Sequence, residues 1–179
     1  MNPRYLAVGL GVLGLGVVSY ALMARQTDEE KILEVLNRLE TAVRVDDDSG
    51  NPLVRMSQVN SHFSEIIEED VQFKIPEHTS ATHGRKTLVG LVVQIGPYFR
   101  NLDIDFKDVT IDFEMDNLRA TVASNAHADG FARNGRWADE RRVRFAMNQT
   151  DGDWRIARLV VYPKDESEEE ETAEETEQE

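Results

Sequence analysis

Residues 5 to 24 form an apolar run of twenty positions without a charge, with Arg4 before it and Arg25 after it. At about 1.5 Å rise per residue, a helix of that length matches a hydrocarbon core of roughly 30 Å. Later segments mix apolar and polar positions at regular periods until residue 165, beyond which Ala173 is the single apolar residue. The pattern predicts a transmembrane anchor at 1–26, one folded domain at 27–164 and a disordered acidic tail at 165–179.

The domain opens with a helical period. Thr27 and Glu30 have the spacing of a capping box. Ile32, Val35, Leu36, Leu39 and Val43 follow at three-four spacing and predict a helix over 28–45. Asp46, Asp47, Asp48, Gly50 and Pro52 break it. The aspartates do not make a calcium loop, because the glycine stands at the wrong offset and no closing glutamate follows. A second helix, 52–68, carries Met56, Val59, Phe63, Ile66 and Ile67 on one side. Val71, Phe73 and Ile75 then alternate with Gln72 and Lys74, the period of a half-buried strand. Leu88, Leu91, Val92, Ile95 and Phe99 predict a third helix over 84–99.

From Asn101 the period is two. Leu102, Ile104 and Phe106 lead one strand, small residues (Ala120, Ala123, Ala126, Ala128) fill the next at 118–128, and strands at 137–148 and 154–162 close the series. Asp116-Asn117, Asn134-Gly135 and Asp151-Gly152 read as turns. Helices followed by hairpin-linked strands predict an α+β domain with an antiparallel sheet.

Charge changes the picture mainly at the tail. Ten of the 34 acids lie in 165–179, which holds no base, so the rest of the chain has 24 acids against 20 bases. Most of the net charge of -14 therefore belongs to the tail. No basic stripe with interleaved aromatics appears, which argues against nucleic-acid binding. The absence of cysteine removes disulfides, thiolate metal sites, a cysteine nucleophile and a lipoprotein anchor. No cofactor and no metal are expected. The apolar run exceeds the usual core of a cleaved signal peptide, which favours retention. The short N-terminus with Arg4 is expected in the cytoplasm, giving a single-pass membrane protein whose domain faces the periplasm or exterior.

Two opening helices, then Asp70-Val71-Gln72-Phe73-Lys74-Ile75-Pro76, then Gly84-Arg85 opening a helix, then long strands ending in Asp151-Gly152-Asp153-Trp154-Arg155-Ile156, together resemble the nuclear transport factor 2-like (NTF2-like) superfamily, including its SnoaL-like and ketosteroid-isomerase-like members. The resemblance covers about residues 28 to 163, one domain's worth of chain. It implies a cone, in which a curved sheet wraps on about three helices, with a pocket at the wide end and frequent homodimers through the sheet. It implies no single activity, since one fold hosts many functions.

Isomerase chemistry needs a carboxylate base with a tyrosine and a protonated acid as oxyanion donors. The family's tyrosine lies on the first helix, whereas here tyrosines stand only at 5, 20, 98 and 162. Tyr98, at the end of the third helix, reads as an amphipathic packing residue or as one that reaches a pocket. SnoaL-like and scytalone-dehydratase-like chemistry implies Asp and His in the cone, for which His127, Asp129, Asp139 and Glu140 are the candidates. His127 and Asp129 are two apart and share a strand face. The apolar set Ala120, Val122, Ala126 and Ala128 puts that face away from the core. His78 and His83 with Glu77 read as a surface loop, since no third metal ligand has a fixed spacing. Arg141, Arg142 and Arg144 complement Asp103, Asp105, Asp108 and Asp112, and Arg142 and Arg144 share a face. Cross-strand ion pairs on the convex side account for them, or an anionic ligand or partner does. The expected function is a membrane-anchored, non-catalytic domain that binds a protein or small ligand at the cell envelope. The alternative is an enzyme using a cone Asp or His as general acid/base on a small organic substrate.

Overall fold

Thr27 starts the first helix with both halves of the capping box made. Its hydroxyl accepts from the Glu30 N–H at 3.2 Å, and its own N–H donates to the Glu30 carboxylate at 2.8 Å. A computed structural model describes residues 26–46, 51–76 and 82–164. Helix α1 is Asp28–Val43 and buries Ile32, Val35, Leu36, Leu39 and Ala42. Helix α2, Pro52–Ile66, is capped by the Asn51 side chain, and its first-turn proline occupies a position that needs no N–H. The strands are β1 (Ile67–Lys74), β2 (Thr82–His83), β3 (Phe99–Phe113), β4 (Arg119–Ala132), β5 (Gly135–Thr150) and β6 (Asp153–Val161). Helix α3, Arg85–Ile95, lies between β2 and β3.

The six strands form one sheet in the order β2-β1-β6-β5-β4-β3. Its inner face and the three helices share one core, with Phe63, Val122, Phe145 and Met147 at its centre. Phe106 meets Phe145 edge to face with ring centroids 5.4 Å apart, and Phe113 meets Trp154 at 5.8 Å. The expected α+β cone, a curved sheet on three helices, is what these elements build.

Three predicted details are corrected. The sheet is not wholly antiparallel, because β1 runs parallel to β6. Ile67 belongs to β1 rather than to the second helix; Ile66 and Ile67 are both buried but on opposite sides of the helix-to-strand switch. The third helix stops at Ile95, where Gly96 and Pro97 tighten the chain into a 3-10 turn over Gly96–Tyr98, and Phe99 already starts β3.

The β3 edge is covered. Val45 and Leu102 exchange two backbone hydrogen bonds of 2.9 Å. The Glu40 carboxylate accepts from the Phe106 N–H at 2.7 Å, and Arg44 pairs with Asp103 at 2.6 Å. The chain after α1 thus protects an edge that would otherwise present free donors and acceptors. At the other end of α1, Asp28 accepts from Gln149 at 2.8 Å and from the Trp154 indole at 3.2 Å. The domain therefore starts beside the β5–β6 turn, and the chain leaves β6 at the opposite end of the sheet.

No helix among the described residues is long and apolar enough to cross a membrane. The predicted anchor at 5–24, residues 47–50, His78 and the acidic tail lie outside the described residues.

Candidate functional site: the rim of the concave face

Strand parity decides which side chains meet. Val143, Phe145 and Met147 are buried in the core, and β4 and β5 pair without a register shift. Arg141, Asp139 and Trp137 therefore share that inner face. Opposite them on β4 stand Ala126, Ala128 and Gly130, and beyond these on β3 stand Phe106, Ile104 and Leu102.

The inner face is graded along its length. Its deep part is closed by apolar side chains. Among the described residues the buried polar side chains are Arg55 and Ser124. Both are committed to main-chain carbonyls: the Ser124 hydroxyl donates to Lys107 at 2.7 Å, and Arg55 donates to Arg44 at 2.9 Å and Val43 at 3.3 Å. Arg55 thereby caps the C-terminus of α1, where a cation suits the helix dipole. Burial holds its guanidinium below the ordinary arginine value, and the Asp46 carboxylate opposes that shift.

The rim is different. Arg141 donates from Nε to the Asp139 carboxylate at 2.7 Å, and the two side chains are 25% and 20% exposed. Trp137 stands next to them and meets Phe99 edge to face at 5.1 Å. The small Ala126 and Ala128 leave the space over β4 to their larger neighbours. A planar guanidinium oriented by a carboxylate, beside aromatic walls, is suited to a carboxylate or phosphate group attached to an apolar body.

The sequence candidates are divided by the sheet. Asp139 is on the inner face. His127 and Asp129 share a face with each other, and it is the outer one, as strand parity predicts. His127 lies 3.5 Å from Glu140, and Asp129 is held by Arg136 at 3.3 Å. Tyr98 is exposed on the 3-10 turn, and its carbonyl accepts from the Arg133 N–H. His83 is exposed on β2 opposite Gln72. No three His, Asp or Glu side chains converge on a metal position among the described residues.

Two expectations for the arginines are corrected. Arg141 points inward, apart from Arg142 and Arg144. The acids of β3 are not on a strand adjacent to these arginines, because β4 lies between β3 and β5. Asp103 pairs with Arg44 instead, and Asp108 accepts from Asn125.

No family model matches the sequence. No curated protein matches it either. The fold is shared with solved structures at low identity. A Novosphingobium aromaticivorans protein named as a scytalone dehydratase candidate aligns at a TM-score of 0.53 with 17% identity, over 74% of this chain and 78% of that one. The S. rosetta CaMKII hub aligns at 0.61 with 12% identity, over 78% and 98%. A protein titled Rd1NTF2_05, carrying five substitutions, aligns at 0.51 with 10% identity, over 76% and 100%. These likenesses establish an NTF2-like fold.

Proposed function

We propose that the chain is an envelope protein held in the membrane by residues 5–24, and that its NTF2-like domain binds its ligand rather than transforming it. The N-terminus would lie in the cytoplasm and the domain outside. One observation supports the non-catalytic part: the deep concave face holds no buried carboxylate or histidine among the described residues, and the two buried polar side chains there are, Ser124 of β4 and Arg55 of α2, serve the backbone. What the inner face offers is a rim with one guanidinium, one carboxylate and aromatic neighbours. The ligand class that fits is a small organic acid with an aromatic or aliphatic body. Arg141 would take the acid group, with Trp137, Phe99 and Ile104 against the body.

A second reading is supported by Asp139 itself, a carboxylate on the inner face of a fold shared with a scytalone dehydratase candidate. Asp139 would then act as general base. A homodimer through the outer sheet face suits either reading.

The two tryptophans make the test direct, since Trp154 is buried and Trp137 is at the rim. Full-length protein in detergent is titrated with 2-naphthoate and decanoate while tryptophan emission is followed. Saturable change that disappears in Arg141→Gln and in Trp137→Phe supports binding. An unchanged response in both variants sinks it. Turnover of a bound acid that stops in Asp139→Asn, with binding retained, would select the enzyme.

A further inference from the structure

The turn between β3 and β4 presents two apolar side chains that neither the core nor the turn itself uses. Met115 is fully exposed and Leu118 about half exposed. Other groups hold the turn. The Asn117 N–H donates to the Glu114 carbonyl at 2.9 Å, the Leu118 N–H donates to the Asp116 carboxylate at 3.0 Å, and Asn117 takes a φ of 52°. Arg119 pairs with Glu114 at 3.0 Å and lies 3.4 Å from Asp116, so one cation serves both acids. Polar side chains would serve this turn equally well at positions 115 and 118. Single exposed apolar residues are common on any protein, so the place of these two in the fold decides what they mean.

That place is the end of the domain where α1 begins. Gln149 links the two: its N–H donates to the Leu118 carbonyl at 2.7 Å, and its side-chain amide donates to the Asp28 carboxylate at 2.8 Å. The Trp154 indole donates to the same carboxylate, and Lys31 donates to the Gly152 carbonyl at 3.1 Å. The start of α1, the β5–β6 turn and the β3–β4 turn therefore lie side by side. Arg25 closes the apolar run three residues before Asp28. At up to about 3.6 Å per residue, that link spans at most roughly 11 Å. The other end of α1 is sixteen residues on, or about 24 Å away at 1.5 Å per residue.

We infer that the β3–β4 turn rests on the bilayer that holds residues 5–24, with Met115 and Leu118 seated in its interfacial layer. The inference rests on the anchor proposed above. Two apolar side chains bind a membrane weakly by themselves, since such binding scales with the apolar area buried. The tether changes that, because a short link gives an effective concentration on the order of millimolar. The charge of this end selects the lipid. Glu114, Asp116, Asp151 and Asp153 outnumber Arg119 and Lys31 there. An anionic surface would repel such an end, so the contact is apolar and suits zwitterionic headgroups. The contact also orients the candidate site. Asp139 and Arg141 lie toward the β4–β5 turn at the opposite end of the sheet. Their rim then opens away from the lipid, to a ligand that arrives through water.

The absence of cysteine lets single spin labels report depth in the full-length chain. Labels are placed by Leu15→Cys in the apolar run, by Glu114→Cys beside Met115, and by Asn134→Cys on the β4–β5 turn. Each variant is reconstituted in phosphatidylcholine nanodiscs, and collisions of the label with oxygen and with a water-soluble nickel chelate are measured. The label at 15 should favour oxygen, the label at 134 should favour nickel, and the label at 114 should fall between them. Adding Met115→Asp and Leu118→Asp should shift the label at 114 to the value at 134. Both replaced side chains are exposed, so the fold should persist. Adding phosphatidylglycerol should not draw the label at 114 deeper. If 114 matches 134 in the parent while 15 stays in lipid, the inference is overturned and the anchor stands. Nickel access at 15 removes the anchor and the inference together. Low access of both reagents at 114 overturns the inference by assigning the turn to a protein contact. So does a depth that needs phosphatidylglycerol or survives the double aspartate variant.

Discussion

At Gly130 of β4 the backbone of β3 comes close enough to exclude a side-chain carbon, and replacing this glycine with alanine tests the fold described above. A methyl group at Gly130 would overlap the Asn101 carbonyl oxygen, and would stand 3.1 Å from Leu102 Cα and 3.2 Å from the Asn101 carbonyl carbon. All three are backbone atoms of β3, so no side-chain rotation relieves them. The register already shifts between Phe99 and Asn101, and Asn101 accepts from the Phe131 N–H through its side chain at 2.8 Å. Relief requires β3 to move outward. That movement would strain the Val45–Leu102 hydrogen bonds on the far side of the strand. Overpacking costs about 1–3 kcal/mol, and one lost hydrogen bond adds about 1 kcal/mol, so the expected loss is about 2–4 kcal/mol. With a urea slope of about 2 kcal/mol per M, the middle of the usual range, the unfolding midpoint should fall by about 1–2 M. Gly90→Ala is the control. It lies in α3 with nothing within 4 Å of the added carbon, and should stabilise by about 0.5–1 kcal/mol. Urea unfolding followed by tryptophan emission reads both variants. If Gly130→Ala matches the parent midpoint within error, the close approach of β3 to β4 is not as described.

Two further outcomes are expected. Thr27→Ala removes the hydroxyl half of the capping box and should cost about 1 kcal/mol in the same unfolding assay, while Thr27→Ser should restore most of it. At the β3–β4 turn, the Leu118 N–H, with Arg119 beside it, holds the Asp116 carboxyl below the usual carboxylate range. A depressed folded value means the contribution is complete above the unfolded value and is lost as pH falls through the folded one, so this turn should loosen only in strong acid. A carboxyl-carbon NMR titration checks it; an Asp116 midpoint at or above the ordinary aspartate value would refute the turn geometry.

Most of the architecture was legible because it is periodic. The capping box at Thr27, the three-four spacing of α1 and the twofold alternation of β4 and β5 each follow from one surface meeting one core. The boundaries were less legible. Ile66 and Ile67 are both apolar, and only the fold shows that the helix ends between them. The parallel pairing of β1 with β6 joins distant parts of the chain, and no local pattern encodes it. At the site, parity correctly separated His127 from the apolar set of β4. The same parity, applied from Val143 and Phe145, places Arg141 and Asp139 inward. Grouping Arg141 with Arg142 and Arg144 by composition hid that signal. The partner of Asp103 was out of reach, because Arg44 comes from the chain following α1 rather than from a neighbouring strand.

The β1–β6 ladder also sets an order of events. Phe73 cannot be covered by its neighbour Leu159 until nearly the whole domain has been synthesised. At roughly 5–20 residues per second, that leaves several seconds in which the apolar faces of α1 and α2 have no sheet to rest on. Long-range pairings of this kind also slow folding itself. A chain stopped before β6 would leave β1 and β5 both with open edges in the middle of the sheet. Completion of the last strand is therefore the commitment step for the entire domain, and a nascent chain short of it is the species most exposed to proteases and to aggregation.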